Sequence, residues 1–324
     1  MKGLLAALAL ATTLGCAVTA AAQTYPARAI TIVVPFAQGG PTDVIARTLA
    51  PHLQALLGQP VRVDNQPGAN GIISTSRVAR AVPDGYTVIL GHWSTHVVNA
   101  GVYPYAIDAI KSFAPIALIA SNAYVIVAKQ AVPASDLKGL VGWLKASGGK
   151  AAEGTAGPGS PQHISGVFFQ KATDTQFKFV PYRGAAPAMQ ALVAGDIDII
   201  IDDPTSALPQ VRAGTIKAFA VTAKQRLAAA PDIPTVDEAG LPGFYFSRWH
   251  ALWAPANTPK DIIAKLNNAL VAALADPKVR THLADLGQEI FPREQQTPSA
   301  LESYHQAEIE KWLPIIKAAG IKAE

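Results

Sequence analysis

The sequence predicts an α/β fold built as two lobes around one cleft. Three observations carry that expectation. Short apolar runs alternate with segments whose apolar residues recur at helical spacing. The alternation falls into two sets, roughly 28–100 and 123–222, each with glycine-rich or proline-opened helix starts at strand ends. The composition is globular, with 324 residues, 50% hydrophobic and 15% charged, enough for two domains or one large one.

The first set opens on an apolar strand, 30–34, followed by Pro35-Phe36-Ala37-Gln38-Gly39-Gly40. Ile45, Leu49, Leu53 and Leu56 then repeat at helical spacing. Gly40 suits the cap of that helix and Pro41 its first turn, where no backbone N–H is needed. A helix start with free N–H groups attracts anions, although the same stretch also reads as an ordinary βα turn. Pro51 is expected to kink the helix or end it early. A second strand is expected at 61–63, a turn cluster at 65–71, a short helix at 72–81 and a third strand at 86–90. Residues 91–96, Gly-His-Trp-Ser-Thr-His, follow as a loop at a strand's carboxyl end, where open α/β sheets hold ligands.

Two apolar runs, 116–119 and 124–128, are split by Ser121-Asn122, and a helix spans 137–147. Gly154-Thr155-Ala156-Gly157-Pro158-Gly159-Ser160-Pro161 then repeats the logic of the opening, with Ser160 as cap and Pro161 in the first turn. Its helix runs to about 171. Strands follow at 177–180, 197–201 and 216–222, with Pro187 opening a helix after the Tyr182-Arg183-Gly184 loop. A strand at 249–254 and helices near 259–275 and 298–319 complete the chain.

The formal charge is +4, and no run of five basic residues occurs, which argues against a nucleic-acid surface. Residues 1–22 read as a secretory signal peptide: Lys2, an apolar segment at 4–14, and Ala20-Ala21-Ala22 before the cut. A membrane anchor and a lipid on Cys16 are the alternatives. Cys16 is the chain's one cysteine, so cleavage after Ala22 leaves no thiol and no disulfide.

The chemistry-bearing residues each have a plain reading beside a functional one. His92 and His96 are four apart, but no Glu lies between them and Gly91 favours a loop, so no metal site is expected. Gly157-Pro158-Gly159-Ser160-Pro161-Gln162 lacks the last glycine of a dinucleotide fingerprint. Ser160 and His163 lack a nucleophile elbow, and capping explains Ser160. Of Asp202 and Asp203, one is expected to face the cleft and the other to serve a turn before Pro204. Arg183 and Arg248 lie at strand or loop junctions, where a guanidinium can grip a carboxylate or form an interlobe salt bridge. Trp93, Phe246 and Trp249 read as core aromatics, with Trp93 the exception because its neighbours are polar.

Several motifs recur in a fixed order. They are Tyr25-Pro26, 32–36 with Gly39-Gly40 and Thr42-Asp43, Gly58-Gln59-Pro60-Val61, 63–69, Pro83-Asp84-Gly85-Tyr86-Thr87, Val180-Pro181-Tyr182-Arg183-Gly184, and Ser206-Ala207-Leu208-Pro209. With this order and spacing the chain resembles the Bug-type periplasmic substrate-binding proteins of tripartite tricarboxylate transporters, over nearly the whole mature length. The resemblance implies a two-lobed Venus-flytrap fold of type II, each lobe a βα sandwich with a central mixed sheet. It implies a discontinuous division: 24–122 with 255–324 as one lobe and 123–254 as the other.

The resemblance further implies a monomeric periplasmic receptor, not an enzyme, with no cofactor. It would pass an organic carboxylate to membrane permease subunits. One carboxylate would be held, partly through waters, by loops 35–43 and 157–163, which contain Phe36, Gly39, Gly40, Thr42, Gly157, Gly159, Ser160 and His163. Ser94, Thr95 and Asp203 match further pocket positions. His92-Trp93 and Arg248 depart from the family pattern. Together with Arg183 they favour a second carboxylate and a flat aromatic ligand, such as terephthalate, over an aliphatic di- or tricarboxylate or an acidic amino acid. A sensor subunit and a secreted α/β hydrolase are the competing readings.

Overall fold

The computed structural model describes residues 25–322, so the expected signal peptide and Cys16 lie outside the described residues. Among these, no helix is long and apolar enough to cross a membrane. In chain order, the first set comprises β1 (Ile30–Val34), α1 (Pro41–Leu57), β2 (Val61–Asn65), α2 (Ile72–Ala79), β3 (Thr87–His92), a π-helical turn (Ser94–Val98), α3 (Asn99–Val102), α4 (Ala109–Ser112) and β4 (Phe113–Ala123). The second comprises β5 (Val125–Lys129), α5 (Leu137–Ala146), β6 (Ala152–Thr155), α6 (Pro161–Thr173), β7 (Lys178–Pro181), α7 (Ala185–Ala194), β8 (Ile199–Asp202), α8 (Pro204–Arg212) and β9 (Ile216–Val221). The chain ends with β10 (Ser247–Pro255), α9 (Lys260–Ala275), α10 (Pro277–Asp285), β11 (Glu289–Ile290) and α11 (Pro298–Ala318).

These strands make two mixed sheets. The six-stranded sheet has the order β11-β4-β10-β3-β1-β2, and the five-stranded sheet β7-β6-β8-β5-β9. β1 runs parallel to β2 and β3, so the βα units leave their helix starts at the carboxyl edge of the sheet. β6 runs parallel to β7 and β8 and does the same in the second sheet. Buried Ile30, Ile32 and Val34 pack with Ile45, Leu49 and Leu53 of α1 under the first sheet. Val125, Val127, Leu192 and Ile200 do so in the second.

The chain crosses between sheets twice, side by side. Ser247 pairs with Ala123, where β4 ends, and only Tyr124 separates it from the start of β5. Thr222 ties the crossings: its hydroxyl receives the Tyr124 N–H at 2.8 Å and donates to the Phe246 carbonyl at 2.6 Å.

Several expectations need correcting. Residues 247–254, assigned to the second lobe, form β10, which pairs antiparallel with β3 and β4 in the six-stranded sheet. Ser121-Asn122 does not split two strands. β4 runs through both because β10 supplies a pairing partner along its whole length. Pro51 does not end α1. It and Arg47, whose carbonyl loses the N–H partner, both lie on the exposed face, where water can replace the bond. Residues 91–96 are not a loop, since β3 continues to His92 and the π-helical turn starts at once. Sequence periodicity also missed α8 and α10, each opened by an Asp cap and a proline.

Candidate functional site

Three helix starts from the two sheets meet at one small cavity. After β1, Gly39 adopts φ +82°, which only glycine takes without strain, and Gly40 precedes Pro41 with no side-chain cap. Asp43, 1% exposed, turns back to accept the Gly39 N–H at 2.8 Å. Arg47 Nε donates to both Asp43 oxygens, and its guanidinium reaches Asn65, whose amide holds the Phe36 carbonyl at 3.1 Å. The loop is thus braced from behind.

After β6, Gly157 and Gly159 have φ of +105° and +74°. Ser160 Oγ accepts the His163 N–H at 3.3 Å, and His163 Nδ1 accepts the Gly159 N–H at 3.1 Å. Burial pushes His163 down to about 4, so the ring is a neutral acceptor. The third start, α7, follows Gly184 and also has no side-chain cap. A Cβ on Gly184 would stand 3.2 Å from the Ala37 nitrogen, so glycine lets the two lobes touch here.

Phe36, Gly40, Pro41, Thr42, His92 and Arg248 line the cavity from one side; Ala156, Pro161, Gln162 and Ala185 line it from the other. The cavity is small, with free space for roughly one water.

Arg248 is the cation of this cavity. Its side chain is 3% exposed and pairs across the lobes with Asp203, which is fully buried. Its Nε has no hydrogen-bond partner among the described residues. Asp203 also accepts from Thr205 N–H at 2.8 Å, as the cap of α8, and from Gln288 Nε2 at 3.0 Å. The His92 ring stacks on Phe36 with centroids 4.6 Å apart, and its Nδ1 accepts the Ser94 N–H at 3.1 Å. His250 Nε2 lies 3.3 Å from Thr42 Oγ1. Burial first, and then the Arg248 charge, hold His92 and His250 well below the usual range, so both are neutral. Behind Gln162 lies Asp202, whose Oδ1 accepts from Gln162 Nε2 at 2.8 Å. Burial, and then neighbouring Asp203, raise Asp202 to about 7.

The residues singled out from sequence therefore fall into three groups. Phe36, Gly40, Thr42, His92 and Arg248 line the cavity. Ser94, Thr95, Gly157, Gly159, Ser160, His163 and Asp203 stand behind or beside the lining, while Gly39 is exposed on the outer side of its loop, facing a separate groove with Ala186 and Met189. Thr95 donates to the His92 carbonyl at 2.8 Å, and Ser94 Oγ lies 3.2 Å from His92 Nδ1. Trp93 and Arg183 are elsewhere. Trp93 is fully buried against Phe246 and Trp312, at 5.5 and 4.8 Å, because the π-helical turn sends it away from the cavity. Arg183 is exposed beside the Gly184 turn.

Of the two readings open for Arg248, the structure has the interlobe salt bridge, and Asp203 is its partner and the cap before Pro204, accepting from three donors in all. His96 stacks on Trp253 at 3.7 Å, and Thr95 Oγ1 lies between it and His92, 2.9 Å from His96 Nδ1 and accepting the His92 N–H at 3.0 Å. Among the described residues no cluster of three metal-ligating side chains occurs. The sequence reading missed Gln162, Ala185, His250 and Gln288. Gln162 was readable, because it follows Pro161 in the first turn of a helix already placed at the cleft; Gln288 comes from a distant short segment with no local signal.

Comparison with known proteins bears on this arrangement. The family model described as "Tripartite tricarboxylate transporter family receptor" matches residues 45–321. The structure of the periplasmic binding protein BugD superposes with a TM-score of 0.89 at 37% identity, covering 93% of this chain and all of the other. MatC (Rpa3494) from Rhodopseudomonas palustris, solved with bound malate, gives 0.86 at 38% identity, covering 90% and 100%. Rpa4515 of R. palustris, solved with adipate, gives 0.88 at 32%, covering 93% and 100%. The two-lobed fold is shared with these binding proteins, and the chain belongs to the tripartite tricarboxylate transporter receptor family of periplasmic solute-binding proteins.

Proposed function

We propose that the lobes of this receptor part to admit a short aliphatic dicarboxylate at this small cavity, and that the receptor delivers it to the membrane subunits of a tripartite transporter. One observation carries the reading: uncapped helix starts from both lobes and the buried guanidinium of Arg248 line the same cavity. Helix-start N–H groups suit one carboxylate. Arg248 suits the second, since a guanidinium has five donors and the one bond to Asp203 leaves others free. A charge-assisted bond contributes roughly 1.5–3 kcal/mol, which separates di- from monocarboxylates by about tenfold or more. Malate in MatC and adipate in Rpa4515 support the same ligand class.

The aromatic alternative, terephthalate, is supported less. It requires a free indole face at Trp93, and that ring packs on Phe246 and Trp312. Export through a signal peptide cut near Ala22 belongs to the same proposal. A thermal-shift screen followed by calorimetry tests the ligand class with malate, succinate, adipate, citrate, acetate, terephthalate and benzoate. A ligand specific to the folded state raises the melting temperature. Saturable binding of an aliphatic dicarboxylate, with acetate weaker by tenfold or more and the ligand recovered unaltered, is expected. Binding confined to the aromatic acids, or chemical conversion of the ligand, would overturn the proposal.

A further inference from the structure

The wall behind the cavity carries two acceptor atoms with nothing to accept. Gln162 Nε2 donates to Asp202 Oδ1, but Gln162 Oε1 and Asp202 Oδ2 are both buried without a partner among the described residues. Asp202 is 0% exposed and Gln162 1%. An ionised carboxylate accepts only, and an amide oxygen accepts only, so neither orphan can serve the other. Turning the amide over brings Oε1 against Oδ1 and leaves the same shortage of a donor.

One proton on the Asp202 carboxyl removes the conflict, because a neutral carboxylic acid donates through one oxygen and accepts through the other. The nearby Arg248 charge offsets a charge there only weakly, less than burial and Asp203 oppose it. Arg248, from β10, gives its hydrogen bond to Asp203. The other titratable groups acting on Asp202 are acidic or neutral. They are Asp203 beside it, Glu153 from β6 with its Oε2 also unpartnered, and the Tyr124 hydroxyl at the sheet junction.

We infer that Asp202 is a proton-holding residue of the binding site, its Oδ2–H donating to Gln162 Oε1, so that capture of an anion at the cavity is linked to that proton. The consequence follows from place. Gln162 lines the cavity and Asp202 lies directly behind it. Loss of the proton puts a negative charge beside an anion site and weakens binding, and binding an anion in turn draws a proton in. The effect on folding has a definite sign. The carboxyl is raised in the folded chain, so its contribution to stability is full below about pH 4 and is lost as the pH rises towards about 7.

The link to binding rests on the proposed capture of a carboxylate here; the proton itself does not, and the two are measured separately. Asp202→Asn imitates the protonated acid, because its amide can donate to Gln162 and accept from it. Without ligand, infrared spectra of the wild type minus Asp202→Asn are expected to show a protonated-carboxyl band at pH 6 that fades by pH 9. Glu153→Gln, which removes the neighbouring buried acid, should keep that band, so the assignment stands even if Asp202→Asn folds poorly. Melting temperatures of the wild type should fall relative to Asp202→Asn between pH 5 and pH 8.

With malate as the probe, wild-type affinity should fall by up to about tenfold per pH unit above neutrality, with proton uptake seen by calorimetry in two buffers, while Asp202→Asn stays level. Absence of the band in Glu153→Gln, whether or not the wild type shows it, would overturn the inference about the proton. A present band with level wild-type affinity from pH 6.5 to pH 8.5 would overturn the linkage. If no carboxylate binds at any pH, the proposed function fails and the infrared result still judges the proton.

Discussion

The helix starts of α1 and α6 reach the cavity from opposite lobes, are spelled alike and are finished differently. Each has a glycine at positive φ, one more residue, and then a proline in the first turn. At α6 that residue is Ser160, whose hydroxyl takes an N–H of the first turn, while His163 takes the Gly159 N–H. At α1 it is Gly40, with no side chain to offer; Asp43 reaches behind to Gly39 instead. One start is closed on itself and the other is open. Glycines permit close approach of an anion, but the cap decides whether the backbone donors still need one. The second lobe supplies its own open start at α7, directly after Gly184 and two residues ahead of the Pro187 start that the sequence predicts.

The largest break in this arrangement comes from Arg248→Met. It leaves Asp203 buried with only Thr205 N–H and Gln288 as donors, and breaking such a pair costs about 3–5 kcal/mol. Urea denaturation should show that loss, and dicarboxylate binding should fall towards the monocarboxylate level. Stability within about 1 kcal/mol of wild type would mean that the pair does not tie the lobes together.

Gly159→Val and Gly40→Val sharpen the contrast between the starts. Valine at 159 must take φ +74° and meets Val102 at 3.2 Å, so it should destabilise the fold by about 1–3 kcal/mol. Gly40 has φ −78°, and a Cβ there finds its nearest contact at 3.4 Å. Gly40→Val should therefore fold nearly as well as wild type and bind malate about tenfold or more weakly, because the added side chain crowds the gap between the two helix starts and keeps the anion from their N–H groups. Ser160→Ala has the smallest effect. It removes a cap worth about 0.5–2 kcal/mol, visible by thermal melting, and leaves affinity within about threefold because the ligand does not depend on that hydroxyl.

Local rules carried far in the sequence. The strand, glycine turn and proline-led helix at 30–57 and again at 152–173 were legible, because positive φ, capping and apolar periodicity are written within a few residues. What escaped was set by distant partners. β10 joined the six-stranded sheet because β3 and β4 lie on either side of it. Trp93 looked available among polar neighbours, yet Phe246 and Trp312, more than 150 residues away, enclose it. The side chains at the cavity divide in the same way. Thr42 and His92 follow from their place at strand and helix ends, whereas the union of Arg248 with Asp203 and Gln288 depends on the chain crossing twice between the sheets.

The central claim is that the open start at α1, not the closed start at α6, receives the carboxylate. Parallel calorimetric titration of malate into the wild type, Gly40→Val and Ser160→Ala at one pH tests it most directly. The account predicts a loss of tenfold or more for Gly40→Val with its melting temperature preserved, and near-wild-type affinity for Ser160→Ala. Full affinity in a folded Gly40→Val, with binding lost in a folded Ser160→Ala, would contradict it.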